Sequence, residues 1–140
     1  MLKTIDPLLS GSLLAVLDDM GHGDEIVIAD ANFPSASNAR RLIDMPGTTA
    51  PALLDAILSV LPLDDFVESP MAVMKAPPET RPLYDGYQTS ADRAERRSIT
   101  ITEMPPQDFY ARTRDAYAVV RSGERRLYGN ILLRKGVIHP

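Results

Sequence analysis

With 140 residues and a 44% hydrophobic fraction, the chain is long enough to bury one ordinary core and too short for two. Its 15 basic and 19 acidic residues leave a formal charge of −4 with no long basic run, which argues against nucleic acid or an anionic membrane as a partner. The lack of cysteine rules out disulfides, thiolate metal sites and a cysteine nucleophile.

The opening residues 1–7 have no signal-peptide apolar core, and no apolar run reaches the roughly 20 residues of a membrane span, so a cytoplasmic protein is expected. Leu9, Leu13, Val16, Leu17 and Met20 then recur at helical spacing behind a cap at Ser10, and Gly21 reads as the glycine that ends the helix. Residues 25–30 hold Ile26, Val27 and Ile28 in succession, the pattern of a strand covered on both faces, which requires helices on either side. Thr48 or Thr49 can cap a second helix over residues 51–61, with Pro51 in its first turn and Leu53, Leu54, Ile57, Leu58 and Leu61 pointing inward.

Residues 71–74 read as a short strand. From Ala76 to Arg97 the composition turns to Pro, Arg, Asp, Glu and Tyr with weak periodicity, an excursion carrying one helix rather than a domain boundary. Residues 98–102 alternate as a half-buried strand does, and Pro105-Pro106 ends them and opens a helix through Phe109 towards Asp115. Residues 117–120 and 131–133 supply two more apolar runs. Strands alternating with helices predict a single α/β domain over residues 1–140, although short strands alone do not separate a parallel sheet from a mixed one.

The chemistry-bearing residues cluster around these elements. His22 lies between two glycines, either bonding the last carbonyls of the first helix or standing open as an acid–base group. Asp30 ends the first strand, where it can tie a turn, hold sugar hydroxyls or orient an acid–base partner. Residues 121–130 mix a turn signal with Tyr128, Gly129 and Asn130, a combination suited to a polar ligand. His139 reads as a tail residue, Asp18-Asp19 and Asp64-Asp65 as solvated charges, and Arg96-Arg97 and Arg125-Arg126 as surface pairs. A metal site from His22, Asp24 and Asp30 lacks the usual ligand spacing, and Gly21-His-Gly23 precedes a strand where a nucleotide loop would follow one.

Several motifs in fixed order add to this. Met1-Leu-Lys-Thr-Ile5 with Pro7-Leu-Leu9, Met20-Gly-His-Gly-Asp-Glu-Ile26, Asp30-Ala-Asn-Phe-Pro34, Ser122-Gly-Glu124, Tyr128-Gly-Asn-Ile-Leu-Leu133 and Lys135-Gly-Val137 resemble the L-fucose mutarotase and D-ribose pyranase family end to end. The Gly-His-Gly and Tyr-Gly-Asn forms resemble the fucose branch, since ribose pyranases tend to carry Gly-His-Thr and Tyr-Ala-Asn. The resemblance implies a three-layer α/β/α fold on a mixed or mostly parallel sheet. It also implies a sugar isomerase that uses neither cofactor nor metal and interconverts the anomers of a reducing monosaccharide, L-fucose first. His22 then matches the proton donor, and Asp30, Tyr128, Gly129 and Asn130 match sugar-binding positions, with Tyr128 assisting proton transfer. Members of the family form ring-shaped homo-oligomers, typically decamers, whose sites are completed across subunit contacts. One departure bears on specificity: Pro106 stands where the family has arginine or histidine, and proline cannot make that side-chain contact. A D-ribose pyranase, a noncatalytic sugar binder and a metal-dependent hydrolase are the competing readings.

Overall fold

In the computed structural model, which describes residues 1–140, the apolar run after His22 becomes β1 (Glu25–Ala29), with Ile26, Val27, Ile28 and Ala29 all fully buried. The other strands are β2 (Leu42–Met45), β3 (Met71–Met74), β4 (Ile101–Met104), β5 (Ala118–Ser122) and β6 (Ile131–Arg134). The helices are α1 (Gly11–Asp19), α2 (Ser35–Asn38), α3 (Ala50–Leu58), α4 (Arg81–Glu95) and α5 (Pro106–Asp115), and a short 3-10 turn over Pro78–Thr80 leads into α4. The six strands form one sheet in the order β2-β5-β1-β6-β3-β4. Pairing is parallel for β1 with β5, β2 with β5 and β3 with β4, and antiparallel where β6 meets β1 and β3. Five strands therefore share one direction and β6 alone opposes them, so the sheet is mixed and mostly parallel.

Strand alternation sorts the core into two layers. Ile26 and Ile28, with Val73, Val120, Ile131 and Leu133, face Leu13, Leu54, Ile57 and Tyr87 of α1, α3 and α4. Val27 and Ala29, with Ala72, Val119 and Leu132, face Phe33 and Phe109 on the other side, beneath α5. The result is the three-layer α/β/α arrangement, with burial on both faces as the continuous apolar run in β1 requires.

Local chemistry explains where the elements depart from expectation. Ser10 caps α1 by accepting from the Leu13 amide, but the helix stops at Asp19, and Gly21 is not its left-handed terminator. Instead Lys135 reaches in from the end of β6, its Nζ donating to the carbonyls of Leu17 at 2.6 Å and Met20 at 2.5 Å, which satisfies the helix end from another part of the chain. Thr49 is the cap of α3, and the helix closes at Leu58, short of Leu61. The alternating strand begins at Ile101 rather than Ser98, because the backbone of Ile99 is already taken: its amide donates to Asp92 and its carbonyl accepts from Gln88, both on α4. The excursion from Ala76 to Arg97 is mostly α4, at 15 residues the longest helix, with Leu83, Tyr84, Tyr87 and Ala91 turned inward. The short helix α2 and the edge strand β2, of which only Ile43 is buried, have no counterpart in the sequence pattern.

Candidate functional site

At the carboxyl ends of the parallel strands, and the start of β6, the chain gathers Asp30, Tyr128, Gly129 and Asn130. Asp30 is 4% exposed and its carboxylate is fully engaged. One oxygen accepts from the amides of Asn32 and Phe33, both at 2.9 Å, and the other from Gly129 N at 3.2 Å and Asn130 Nδ2 at 3.0 Å. The turn reading and the site reading of Asp30 thus both hold: it ties its own turn and anchors the 128–130 segment. Asn130 returns the bond, its Oδ1 accepting from Asp30 N at 2.8 Å, which leaves one amide hydrogen and one lone pair for a ligand.

The segment is held from behind by α4. Tyr84 shares its one hydroxyl hydrogen between the carbonyls of Tyr128 (3.0 Å) and Met74 (2.9 Å), and Tyr87 donates to that of Gly129 (3.0 Å). Burial pushes both phenols above their usual range, so they remain donors at any ordinary pH. Tyr128 is strained, with φ at +61°, a conformation that costs a non-glycine residue on the order of 1 kcal/mol. Glycine is required next: a Cβ on Gly129 would lie 2.8 Å from Glu124 Cγ and 3.0 Å from the Arg126 carbonyl. Glu124 is itself buried and pulled down to about 2 by the Arg126 guanidinium paired with it. Strand-end position, strain and buried acceptors together are the features of a built site rather than a passive turn.

A cavity of about 290 Å³ opens over this segment, walled by Met74, Pro106, Tyr110 and Leu127 and floored by Asp30, Tyr128 and Asn130. The Tyr110 ring stacks on Phe33 with centroids 5.0 Å apart, giving a flat apolar wall. Pro106 sits on that wall at the first turn of α5, so the rim lacks a cation at this point.

His22 is not part of this cluster. It lies before β1, Asp30 after it, and at about 3.3 Å per residue the strand separates them by roughly 20 Å. Asp30 therefore does not orient the imidazole. Asp64 does: its Oδ1 lies 3.0 Å from His22 Nε2, and its side chain is completely buried, contrary to the expectation of a solvated charge. Burial opposes the Asp64 charge, but Arg134, the Phe66 amide and His22 outweigh it and hold the carboxyl below its usual range. Because Lys135 already serves the carbonyls of α1, the imidazole is free for this pairing, and its side chain is 44% exposed. Phe66 leans on the imidazole with ring centroids 5.1 Å apart, and its ring lies 6.1 Å from that of His139, whose Nε2 is 2.8 Å from Asp65. The tail histidine is thus held by Phe66 and Asp65. Asp24 turns back to accept from Gly21 N at 2.8 Å, so His22, Asp24 and Asp30 do not converge.

Asp64, Arg134, Tyr84, Tyr87 and Tyr110 are the site residues that sequence reasoning missed. The only available signal for Asp64 was its place among Leu61, Leu63 and Phe66, an odd setting for a solvated charge.

Residues 3–138 match the RbsD / FucU transport protein family. The chain is 44% identical to a fucose mutarotase of Bos taurus, covering 100% of this chain and 96% of that one. It is 42% identical to an L-fucose mutarotase of Haemophilus influenzae, covering 98% and 97%. Among solved structures, fucose mutarotase from Streptococcus pneumoniae in complex with L-fucose superposes with a TM-score of 0.91 at 43% identity, over 99% of this chain and 100% of that one. Bacillus subtilis RbsD complexed with D-ribose superposes with a TM-score of 0.74 at 26% identity, over 99% and 100%.

Proposed function

The chain belongs to the RbsD / FucU transport protein family, and from that premise we propose that it is a cofactor-free monosaccharide mutarotase, interconverting α and β anomers with L-fucose as its foremost substrate. The reaction needs a base to take the anomeric hydroxyl proton and an acid to protonate the ring oxygen. The ring then opens to the aldehyde, the carbonyl carbon rotates, and reclosure with the reverse proton transfers gives either anomer. No bond is oxidised and no water is consumed.

The observation that carries the reading is the clamped Tyr128–Asn130 segment beneath a cavity of monosaccharide size, with hydrogen-bonding groups on its floor and a flat apolar wall. In this reading Asn130 receives sugar hydroxyls, Asp30 acts on the sugar through the Asn130 and Gly129 groups that it holds, Tyr128 assists proton transfer, and His22 is the principal acid–base group. Its Asp64 partner holds the imidazole in place through Nε2.

Because His22 and Tyr128 lie at opposite ends of the strands, a working site takes them from two copies, the His22 end of one meeting the Tyr128 end of the next. Where its rotation closes, such a head-to-tail contact makes a ring, in this reading the decamer that the resemblance to the family implies. Exposed apolar side chains at both ends support this contact, Phe66 at 67% beside His22 and Leu127 at 64% beside Tyr128. No helix is long and apolar enough to cross a membrane, and the proposed place of action is the cytoplasm.

Saturation-transfer NMR between the anomers of L-fucose, D-ribose and D-galactose tests the proposal. Fastest acceleration with L-fucose supports it. Acceleration only with another sugar reassigns the substrate through the Pro106 wall, and binding without acceleration turns the protein into a sugar binder.

A further inference from the structure

At the amino end of β1, a chain of charged side chains runs from Arg112 through Glu25, Arg134 and Asp64 to His22. Arg112 on α5 grips Glu25 through Nε at 3.0 Å and Nη2 at 2.6 Å. Glu25 lies 3.7 Å from Arg134 Nη1, and Arg134 Nε donates to Asp64 Oδ2 at 2.8 Å. Asp64 Oδ1 receives the Phe66 amide at 3.0 Å and faces His22 Nε2 at the same distance. Arg134 thus supplies the only hydrogen bond to the second oxygen of a completely buried carboxylate. The second glycine of Gly-His-Gly makes room for it: Gly23 has φ at +87°, and a Cβ there would come within 3.0 Å of Arg134 Nη2.

We propose that Arg134 is a positioning residue for His22, acting through Asp64, and that it fixes Nδ1 as the nitrogen that exchanges protons with the sugar. The inference rests on His22 as the acid–base group of the mutarotase. A charged carboxylate only accepts hydrogen bonds, so with Arg134 in place Nε2 must carry the proton and donate it to Asp64. Nδ1 then holds the bare lone pair. Without Arg134, burial favours the protonated carboxylic acid, whose O–H would donate to Nε2 and drive the proton on the ring to Nδ1. The same imidazole would then present a donor where the reaction needs a base. A fork-shaped guanidinium is suited to this task because it engages Asp64 and Glu25 at once, whereas an ammonium is a single point charge.

Long-range ¹H–¹⁵N correlation spectra of the imidazole rings separate the two tautomers directly, with His139→Gln identifying the His22 signals. The wild type is expected to show the Nε2–H form. Arg134→Met is expected to shift the ring towards Nδ1–H and to lower kcat by about 10- to 100-fold while KM stays within about two-fold. Arg134→Lys is expected to restore part of both. An Nδ1–H ring in the wild type, or an unchanged tautomer in folded Arg134→Met, overturns the assignment. Should Arg134→Met fail to fold, the wild-type spectrum and Arg134→Lys decide the matter. If the tautomers behave as expected but no sugar exchange is accelerated, the mutarotase reading fails and the role of Arg134 in orienting His22 stands.

Discussion

Asp30 and Asn130 hydrogen-bond each other in both directions: the Asp30 amide donates to Asn130 Oδ1 at 2.8 Å, and Asn130 Nδ2 donates to Asp30 Oδ2 at 3.0 Å. This two-way bond joins the end of β1 to the start of β6, its antiparallel neighbour, and fixes the floor of the cavity beside Tyr110 and Pro106. It also makes the charge on Asp30 indispensable, because four N–H groups converge on it with no room for a further donor.

Asp30→Asn should therefore act on the structure of this floor. The new amide group sets an N–H against existing donors in a buried place, a loss of about 2–4 kcal/mol. Urea unfolding should show the drop, and sugar titrations followed by NMR should show binding lost in the fraction that remains folded. Unchanged stability would mean that the four bonds contribute little.

Tyr87→Phe tests the support from α4. It leaves the buried Gly129 carbonyl without its donor, at a cost of about 1–2 kcal/mol. The slackened segment should weaken sugar binding several-fold. Binding and thermal stability both equal to wild type would show that α4 merely covers the segment.

Acid stability should depend on Glu124. Its carboxyl titrates at about 2 in the folded chain against an ordinary 4.5, chiefly because of the Arg126 hydrogen bond. The folded value is the lower one, so the stabilisation is complete above about pH 4.5 and is lost as pH falls towards 2. The gap in Tm between wild type and Glu124→Gln should be open at pH 7, narrow below pH 4.5 and close near pH 2. A constant gap would assign the difference to packing.

How much of this was legible in the sequence depends on the reach of each interaction. β1, β3, α3 and α5 follow from apolar runs, caps and prolines, which act within a few residues. The mixed sheet follows only from the motif resemblance, since a strand of four residues carries no signal of its direction. α4 was undervalued because two of its inward positions are tyrosines whose hydroxyls reach across the site to Met74, Tyr128 and Gly129. Residues 22, 30, 128, 129 and 130 were visible as chemistry beside glycines and strand ends. Their division between the two ends of the strands was not, because it depends on the direction of β1 and β6. Asp64 was hidden for a related reason: its partners His22 and Arg134 are 42 and 70 residues away.

The most direct measurement is subunit complementation. His22→Gln and Tyr128→Phe chains, each inactive alone, are co-assembled in equal amounts and tested for anomer exchange of L-fucose. If each site draws His22 from one copy and Tyr128 from another, random assembly restores about a quarter of wild-type activity, one half for each required residue. If mixing restores nothing although the chains demonstrably co-assemble, His22 and Tyr128 do not share a site across copies, and the proposed mechanism is wrong.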